Sequence, residues 1–331
     1  MSQVCIRGVG CYVPEGRLTN QELVARLGVT DEYIVKLTGV RERRRAAPEQ
    51  ATSDMALLAA EKALQDAGLG PEAIDGVIVA TATPDHVTPS TANLVQQRLG
   101  LRQVPSYDLN AGCTGSLYAL ITAYGLLHAG ACQTLLVIGA ELTSRLVDID
   151  DQETALVFGD GAGAMVVQAG PGRRGDLRLL SHLWGSDGSK ADLIRVPAGG
   201  SRCPASPLTV EKGEHFLRMH GSSVFRFAVR TLPMLVQDVL ARAGRSLADM
   251  KVLIPHQANW RIIEAAARKL PLALDQVVVN IDRYGNTSAA SVLLALEEAR
   301  QTGRLQPGET AVLASFGAGL TWAAVAVEVV T

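Results

Sequence analysis

The sequence predicts an α/β protein in which one structural unit occurs twice. Two observations carry that prediction: apolar runs of strand length alternate with longer helical stretches, and the second half repeats landmarks of the first at spacings equal or one residue shorter. Composition sets the frame. With 331 residues, 47% hydrophobic and 19% charged, the chain is long enough for two domains or one large one and lies far from disordered composition.

The strand-length runs are Gly76–Thr81 (GVIVAT), Thr134–Gly139, Gly163–Gln168, Lys251–Ile254, Val277–Asn280 and Ala311–Ser315. Uninterrupted apolar runs of this kind fit strands covered on both faces. Ser53–Ala67 reads as a helix: Ser53 stands where a cap belongs, Ala and Leu dominate the interior, and Gly68 follows the last turn. The apolar stretch Ser116–Leu127 reads as a second helix, opened by Asp108–Cys113, and a third opens at Asp282–Asn286 and covers Ser291–Arg300. The repeat links these elements. Ala67-Gly68, Ile74 and the strand Val77–Ala80 are echoed by Ala243-Gly244, Met250 and Val252–Ile254, and the same 17 positions separate Cys113 from Gly130 and Asn286 from Gly303. Cys113 and Asn286 thus fall at equivalent helix starts, the first in a half spanning residues 1–170 and the second in a half spanning 171–331. Trp184–Leu208 carries Gly, Ser and Pro throughout and reads as a long loop, either a wall of the site or a surface insertion.

Charge and cysteine usage narrow the function. Lys plus Arg number 31 against 33 Asp plus Glu, a net charge of −2, so there is no positive excess to hold a phosphate backbone and nucleic acid is not an expected partner. Cys5, Cys11, Cys113, Cys132 and Cys203 make an odd set without a CxxC pair, which argues against a disulfide framework and a metal site and fits a reducing cytoplasm. The opening MSQVCIRGVGCYVPEG has no basic region leading into an apolar one, and no window reaches the roughly 18 apolar residues a membrane span needs. A soluble, cytoplasmic protein is expected.

Three residues stand out chemically. Cys113, in Ala-Gly-Cys-Thr-Gly, sits at a helix start, where unpaired N–H groups and the dipole favour a thiolate; alternatively it is a small buried filler. His256 follows the strand Lys251–Ile254 directly, at the carboxyl end where α/β sheets build sites. Asn286 is either an N-cap or, through the repeat, a partner facing Cys113. Cys, His and Asn without an acid suit one attacking group and two donors to a developing oxyanion. Gly159–Ala164 can be forced onto a dinucleotide pattern, but a strand follows it where a helix is required. Phe316-Gly317-Ala318-Gly319 reads as a tight turn with a backbone N–H aimed at the site, and Arg41–Arg45 reads as a solvated basic face or a holder of phosphates or an acidic partner.

Taken together, Thr38–Arg43 (TGVRER), Ala111-Gly112-Cys113, Phe158–Gly163 (FGDGAG), Pro255–Asn259 (PHQAN), Gly285–Ser291 (GNTSAAS) and Phe316–Gly319 resemble the β-ketoacyl-acyl-carrier-protein synthase III family of the thiolase superfamily. The resemblance runs from Gly8 to Val327. It implies a duplicated αβαβα five-layer fold, a homodimer, and decarboxylative condensation of an acyl-CoA primer with malonyl-acyl-carrier protein, without metal or redox cofactor. Carried over by position, Cys113 would be acylated, and His256 with Asn286 would stabilise the enolate. The backbone N–H groups of Cys113 and Ala318 would form the oxyanion hole, and Gln257, Ala258, Asn259, Trp260 and Arg261 would meet the carrier protein. Phe316 would pack beside the catalytic pair, and Thr88 stands where acetyl-specific members carry a pocket Phe. Tyr33, Leu37 and Gln152 match the CoA region, where the family's Trp and two Arg are replaced. Two rivals share the fold: a secondary-metabolite acyltransferase or condensing enzyme, and a non-catalytic subunit of a condensing heterodimer.

Overall fold

The computed structural model describes residues 3–331. Nine strands join in one sheet: β1 (Val4–Tyr12), β2 (Gly76–Ala80), β3 (Ser106–Leu109), β4 (Thr134–Glu141), β5 (Gly161–Ala169), β6 (Leu177–Ser186), β7 (Met250–Pro255), β8 (Thr310–Gly317) and β9 (Thr321–Val329). Their order is β7-β8-β9-β6-β1-β5-β4-β2-β3. The two halves repeat one pairing pattern. In the first, β1 runs antiparallel to β5 and β5 to β4, while β4 is parallel to β2 and β2 to β3. In the second, β6 runs antiparallel to β9 and β9 to β8, while β8 is parallel to β7. The halves meet where Cys5 and Ile6 of β1 pair with Arg178 and Leu177 of β6. We propose the Gly170–Asp176 turn between β5 and β6 as the boundary of the two units.

Five helices complete the layers: α1 (Thr52–Ala67), α2 (Gly115–His128), α3 (Gly221–Arg242), α4 (Trp260–Lys269) and α5 (Ser291–Gln301). Helix α1 covers the outer face of the first half, α3 and α4 that of the second, and α2 with α5 fill the space between. This duplicated αβαβα arrangement explains the patterning. Helix α2 is apolar nearly all round because the middle layer is covered on most of its faces, and its Leu117, Leu120 and Ile121 share one core with Leu293 and Leu296 of α5. Helix α1 is instead rich in alanine, since it lies almost on the backbone of β1. A Cβ at Gly8 would fall 2.3 Å from the Ala63 carbonyl oxygen, so any side chain there would lift α1 off the sheet.

Several expectations need correction. Val277–Asn280 makes a single bridge, Val277 to Leu253, because the segment turns at once into a short helix at Ile281–Tyr284. Ser53 does not cap α1: the Asp54 carboxylate accepts the Ala51 N–H at 2.6 Å, and the Ser53 hydroxyl donates to Asp85 at 2.7 Å. The stretch Trp184–Leu208 is less irregular than its composition suggests. It finishes β6, turns through Gly188–Leu193, and pairs Ile194–Arg195 with Arg218–Met219. In the basic run, Arg41 and Arg45 are exposed but Arg43 is buried, donating to Asn20 Oδ1 at 2.5 Å and to the Leu156 carbonyl. Burial pushes its guanidinium down to about 10, and it serves as a strut beneath Gly159 and Gly285.

Candidate active site

Each half delivers its functional side chains at strand and helix ends, and both sets open onto one cavity of about 680 Å³. From the first half comes Cys113, in a single 3₁₀ turn (Gly112–Thr114) that leads into α2. The turn is clamped on both sides: Ser315 Oγ donates to the Cys113 carbonyl at 2.9 Å, and Thr114 Oγ1 donates to Ala111 O at 2.6 Å. The β8 turn presses against it so closely that a Cβ on Gly317 would lie 2.8 Å from the Cys113 nitrogen. Ala318 follows, and both Ala318 and Phe316 line the cavity.

From the second half come His256 and Asn286. His256, at the end of β7, is buried among apolar groups, and Phe316 meets its ring edge-on at 5.5 Å between centroids. Its Nδ1 lies 2.5 Å from Ser291 Oγ, which also accepts the Gln257 N–H at 3.4 Å. Desolvation holds the imidazole down at about 3, so it is neutral. Asn286 is fixed by its backbone, which donates to Val157 O at 2.8 Å and accepts from Gly159 N–H at 3.0 Å. Its Oδ1 accepts the Ser288 N–H at 2.8 Å, which turns the Nδ2 donor of the amide away from that contact.

The thiol departs from expectation. A helix start favours the thiolate, yet burial pushes Cys113 up to about 12 and the Glu141 charge adds to the rise, against a smaller lowering from the Ser288 hydroxyl. Desolvation outweighs the groups that favour the thiolate, and Cys113 rests as a neutral thiol.

Of the other expected residues, Tyr33, Leu37, Gln152, Ala258, Asn259 and Arg261 line the same cavity. Its rim carries the exposed Tyr33, Arg226 and Arg261, the last stacked over Phe225 at 5.6 Å. Gln152 spends its amide on the Leu27 carbonyl, and Asn259 donates to Leu37 O at 3.1 Å. Three of the expected residues lie outside the cavity. Gln257 is buried, with its side chain tied to Pro255 O, Val278 O and Asn280 N–H, so it faces no partner. Trp260 lies outside this cavity and packs against Gly39. Thr88 is exposed on the loop after β2 and lines no part of the cavity of a single chain, because that loop runs outward past Val87, which is 98% exposed. Sequence reasoning also missed Glu141, Ser288 and Ser291. The available signal was an acid at the end of the apolar run TLLVIGAE, where a charged residue is costly unless it is used.

Family models for 3-oxoacyl-[acyl-carrier-protein] synthase III match residues 107–188, and for its C-terminal part residues 240–329. The β-ketoacyl-[acyl-carrier-protein] synthase III of Symbiobacterium thermophilum is 47% identical over 325 residues, covering 98% of each chain. The chain belongs to the β-ketoacyl-acyl-carrier-protein synthase III family. Solved synthase III structures agree in fold. The Pseudomonas aeruginosa protein superposes with a TM-score of 0.90 at 40% identity over 99% of both chains. The Thermus thermophilus protein gives 0.90 at 44%, covering 98% of this chain and 99% of its own. Among the described residues, no His, Cys, Asp or Glu cluster could hold a metal, and no helix is long and apolar enough to cross a membrane.

Proposed function

We propose that this synthase III family member joins an acyl primer to malonyl-acyl-carrier protein by decarboxylative Claisen condensation through an acyl-Cys113 intermediate. One observation carries the reading: Cys113, His256 and Asn286, from three separate segments, face a single cavity. In the first step the Cys113 sulfur attacks the primer thioester, and the backbone N–H groups of Cys113 and Ala318 hold the oxyanion. A thioester is exchanged for a thioester, so little free energy is lost. In the second step the malonyl group loses CO₂, and its enolate oxygen accepts from Asn286 Nδ2 and His256 Nε2. The Ser291 hydroxyl, accepting from Gln257 N–H, spends its proton on His256 Nδ1 and leaves the ring proton on Nε2. Two neutral donors suit this task, because a charged imidazolium in so dry a site would be costly. The carbanion then attacks acyl-Cys113 and releases the thiol.

The phosphopantetheine arm of the donor enters past Tyr33, with Leu37 and Gln152 beside it, and Ala258, Asn259 and Arg261 meet the carrier protein. The uncharged Leu37 and Gln152 favour a second reading, a condensing enzyme of a specialised pathway whose primer is also carrier-borne. Retention of Cys113, His256 and Asn286 disfavours a non-catalytic subunit. A cytoplasmic homodimer belongs to the same proposal: a second copy covering the exposed Val87–Thr88 loop would give Thr88 a pocket to line, and light scattering tests the dimer. Incubation with acyl-CoA and acyl-carrier-protein donors, followed by intact mass and peptide mapping, tests the rest. An acyl adduct on Cys113 that is discharged by malonyl-acyl-carrier protein is the expected result, and no adduct from either donor refutes it.

A further inference from the structure

Behind Cys113 lies a carboxylate the reaction above does not use. Glu141 ends β4 with no solvent exposure, and its side chain is met by hydroxyls and backbone N–H groups. Its Oε2 accepts from Ala82 N–H at 3.1 Å and Thr83 Oγ1 at 3.0 Å, and its Oε1 accepts from Ser288 Oγ at 3.0 Å. Ser288 is itself unusual. With φ of 49° it is one of two non-glycine residues at positive φ among the described residues, a conformation that persists only where the surroundings impose it. Its turn packs on the Gly112–Thr114 turn, Ser288 and Cys113 line the same cavity, and the Ser288 hydroxyl pulls the thiol downward against the rise that burial imposes. Since the Ser288 proton is given to Glu141, the hydroxyl oxygen keeps lone pairs free to accept a proton from a neighbouring thiol.

We propose that Cys113, Ser288 and Glu141 form a proton relay, with Ser288 touching the reacting sulfur and Glu141 positioning that hydroxyl and taking up the thiol proton through it. The proposal rests on Cys113 being the acylated residue. As the sulfur–acyl carbon bond forms, the Cys113 S–H bond breaks and its proton passes to Ser288 Oγ, whose own proton passes to Glu141 Oε1. When the tetrahedral adduct collapses, the departing thiolate of the donor takes a proton back along the same line. Glu141 is again ionised, and the products are acyl-Cys113 and the free donor thiol. The electrostatic advantage is that one negative charge moves instead of a second one appearing beside the first in a dry site.

The surroundings support this direction. No cation lowers Glu141; burial raises it to about 7 against hydrogen bonds from Ala82, Thr83, Ser288 and Ala289. The facing titratable groups are Cys113 from the α2 side and His256 across the cavity, which at about 3 is a poor proton acceptor. The nearby acids Asp85 and Asp160 are spent on Ser53 and on Ala46 with Ser144.

The deciding variants are Ser288→Gly, which deletes the hydroxyl while relieving the positive φ, and Glu141→Gln. Single-turnover acylation by acetyl-CoA is followed by intact mass from pH 6 to 10, alongside thermal melting. The wild-type rate should rise with ionisation of Glu141 near pH 7 and then level. Ser288→Gly should melt no lower than wild type yet acylate about 10²-fold more slowly near neutrality, the scale of one proton-transfer group. Its rate should then climb roughly tenfold per pH unit as Cys113 ionises unaided. Glu141→Gln should show the same profile if it folds, and Ser288→Gly decides if it does not. Wild-type acylation in Ser288→Gly near neutrality, or a deficit of equal size at every pH, overturns the relay. Absence of any wild-type adduct from acetyl-CoA and from acetyl-acyl-carrier protein alike would instead refute Cys113 as the nucleophile.

Discussion

The two halves share a scaffold and differ in what they hang on it. Strands β2 and β7 are counterparts, yet β2 runs out into the hydroxyl-bearing Thr81-Ala82-Thr83 while β7 ends at His256. Strands β4 and β8 are counterparts as well, and β4 ends in Glu141 where β8 ends in Gly317. Both inner helices follow directly on a 3₁₀ turn, Gly112–Thr114 before α2 and Ser288–Ala290 before α5, but Cys113 lies inside its turn whereas Asn286 stands ahead of its own. On the proposed roles, the first half supplies the groups that begin and end the proton transfer, Cys113 and Glu141, and the second supplies the neutral donors and the Ser288 hydroxyl that joins the two. Duplication lets strand ends diverge freely because the core layers, α2 and α5 against the sheet, are not disturbed by a change at a strand terminus.

The sharpest way to break this division is at its nucleophile. Cys113→Ala should abolish covalent acyl uptake by intact mass, while decarboxylation of malonyl-acyl-carrier protein, assigned to the other half, persists at a measurable rate. Next in size, His256→Ala and Asn286→Ala should still take up acyl groups but condense roughly 10²-fold more slowly or worse, as when an oxyanion donor is deleted. Wild-type condensation in either variant would erase the distinction between the halves. Gly317→Ala probes the contact between them: a Cβ placed 2.8 Å from Cys113 N and 3.0 Å from its Cβ must displace the turn. Activity should fall by about tenfold or more, with a stability loss of roughly 1–3 kcal/mol in denaturant titration.

The halves should also differ in the sign of their pH response. Glu141, raised to about 7, binds a proton in the folded chain that the unfolded chain has already lost, so its contribution declines as pH rises from the ordinary carboxylate range through 7. His256, lowered to about 3, stays neutral when the unfolded imidazole charges, so stability declines as pH falls from the ordinary histidine range toward 3. Melting temperatures of Glu141→Gln against wild type should lose the first dependence, and those of His256→Ala the second. The smallest effect lies in α2 alone. Gly125 is helical and exposed, and no neighbouring atom lies within 4 Å of where an added methyl would stand, so Gly125→Ala should stabilise by about 0.5–1 kcal/mol in thermal melts without touching activity.

By itself the sequence determined the alternation of buried strands with helices, the doubling of the unit, and the three polar residues at element ends. Those are local matters: an apolar run such as TLLVIG, bounded by turn residues and too short for a helix, favours a buried strand, and a Cys or Asn just ahead of an apolar helical stretch is placed near its start by the chain alone. Tertiary structure alone decided which polar groups leave water. Arg43 and Arg45 are alike in sequence, but only Arg43 points between Asn20 and Leu156. Gln257 and Arg261 belong to one expected contact segment, and one is walled in while the other reaches the rim. The state of Cys113 follows the same rule. Its helix start was legible, but the desolvation that raises its thiol comes from walls contributed by residues far along the chain, Ser288 and Phe316 among them. Burial is a property of long-range neighbours, and it sets the charge of a group more strongly than the residues beside it in sequence.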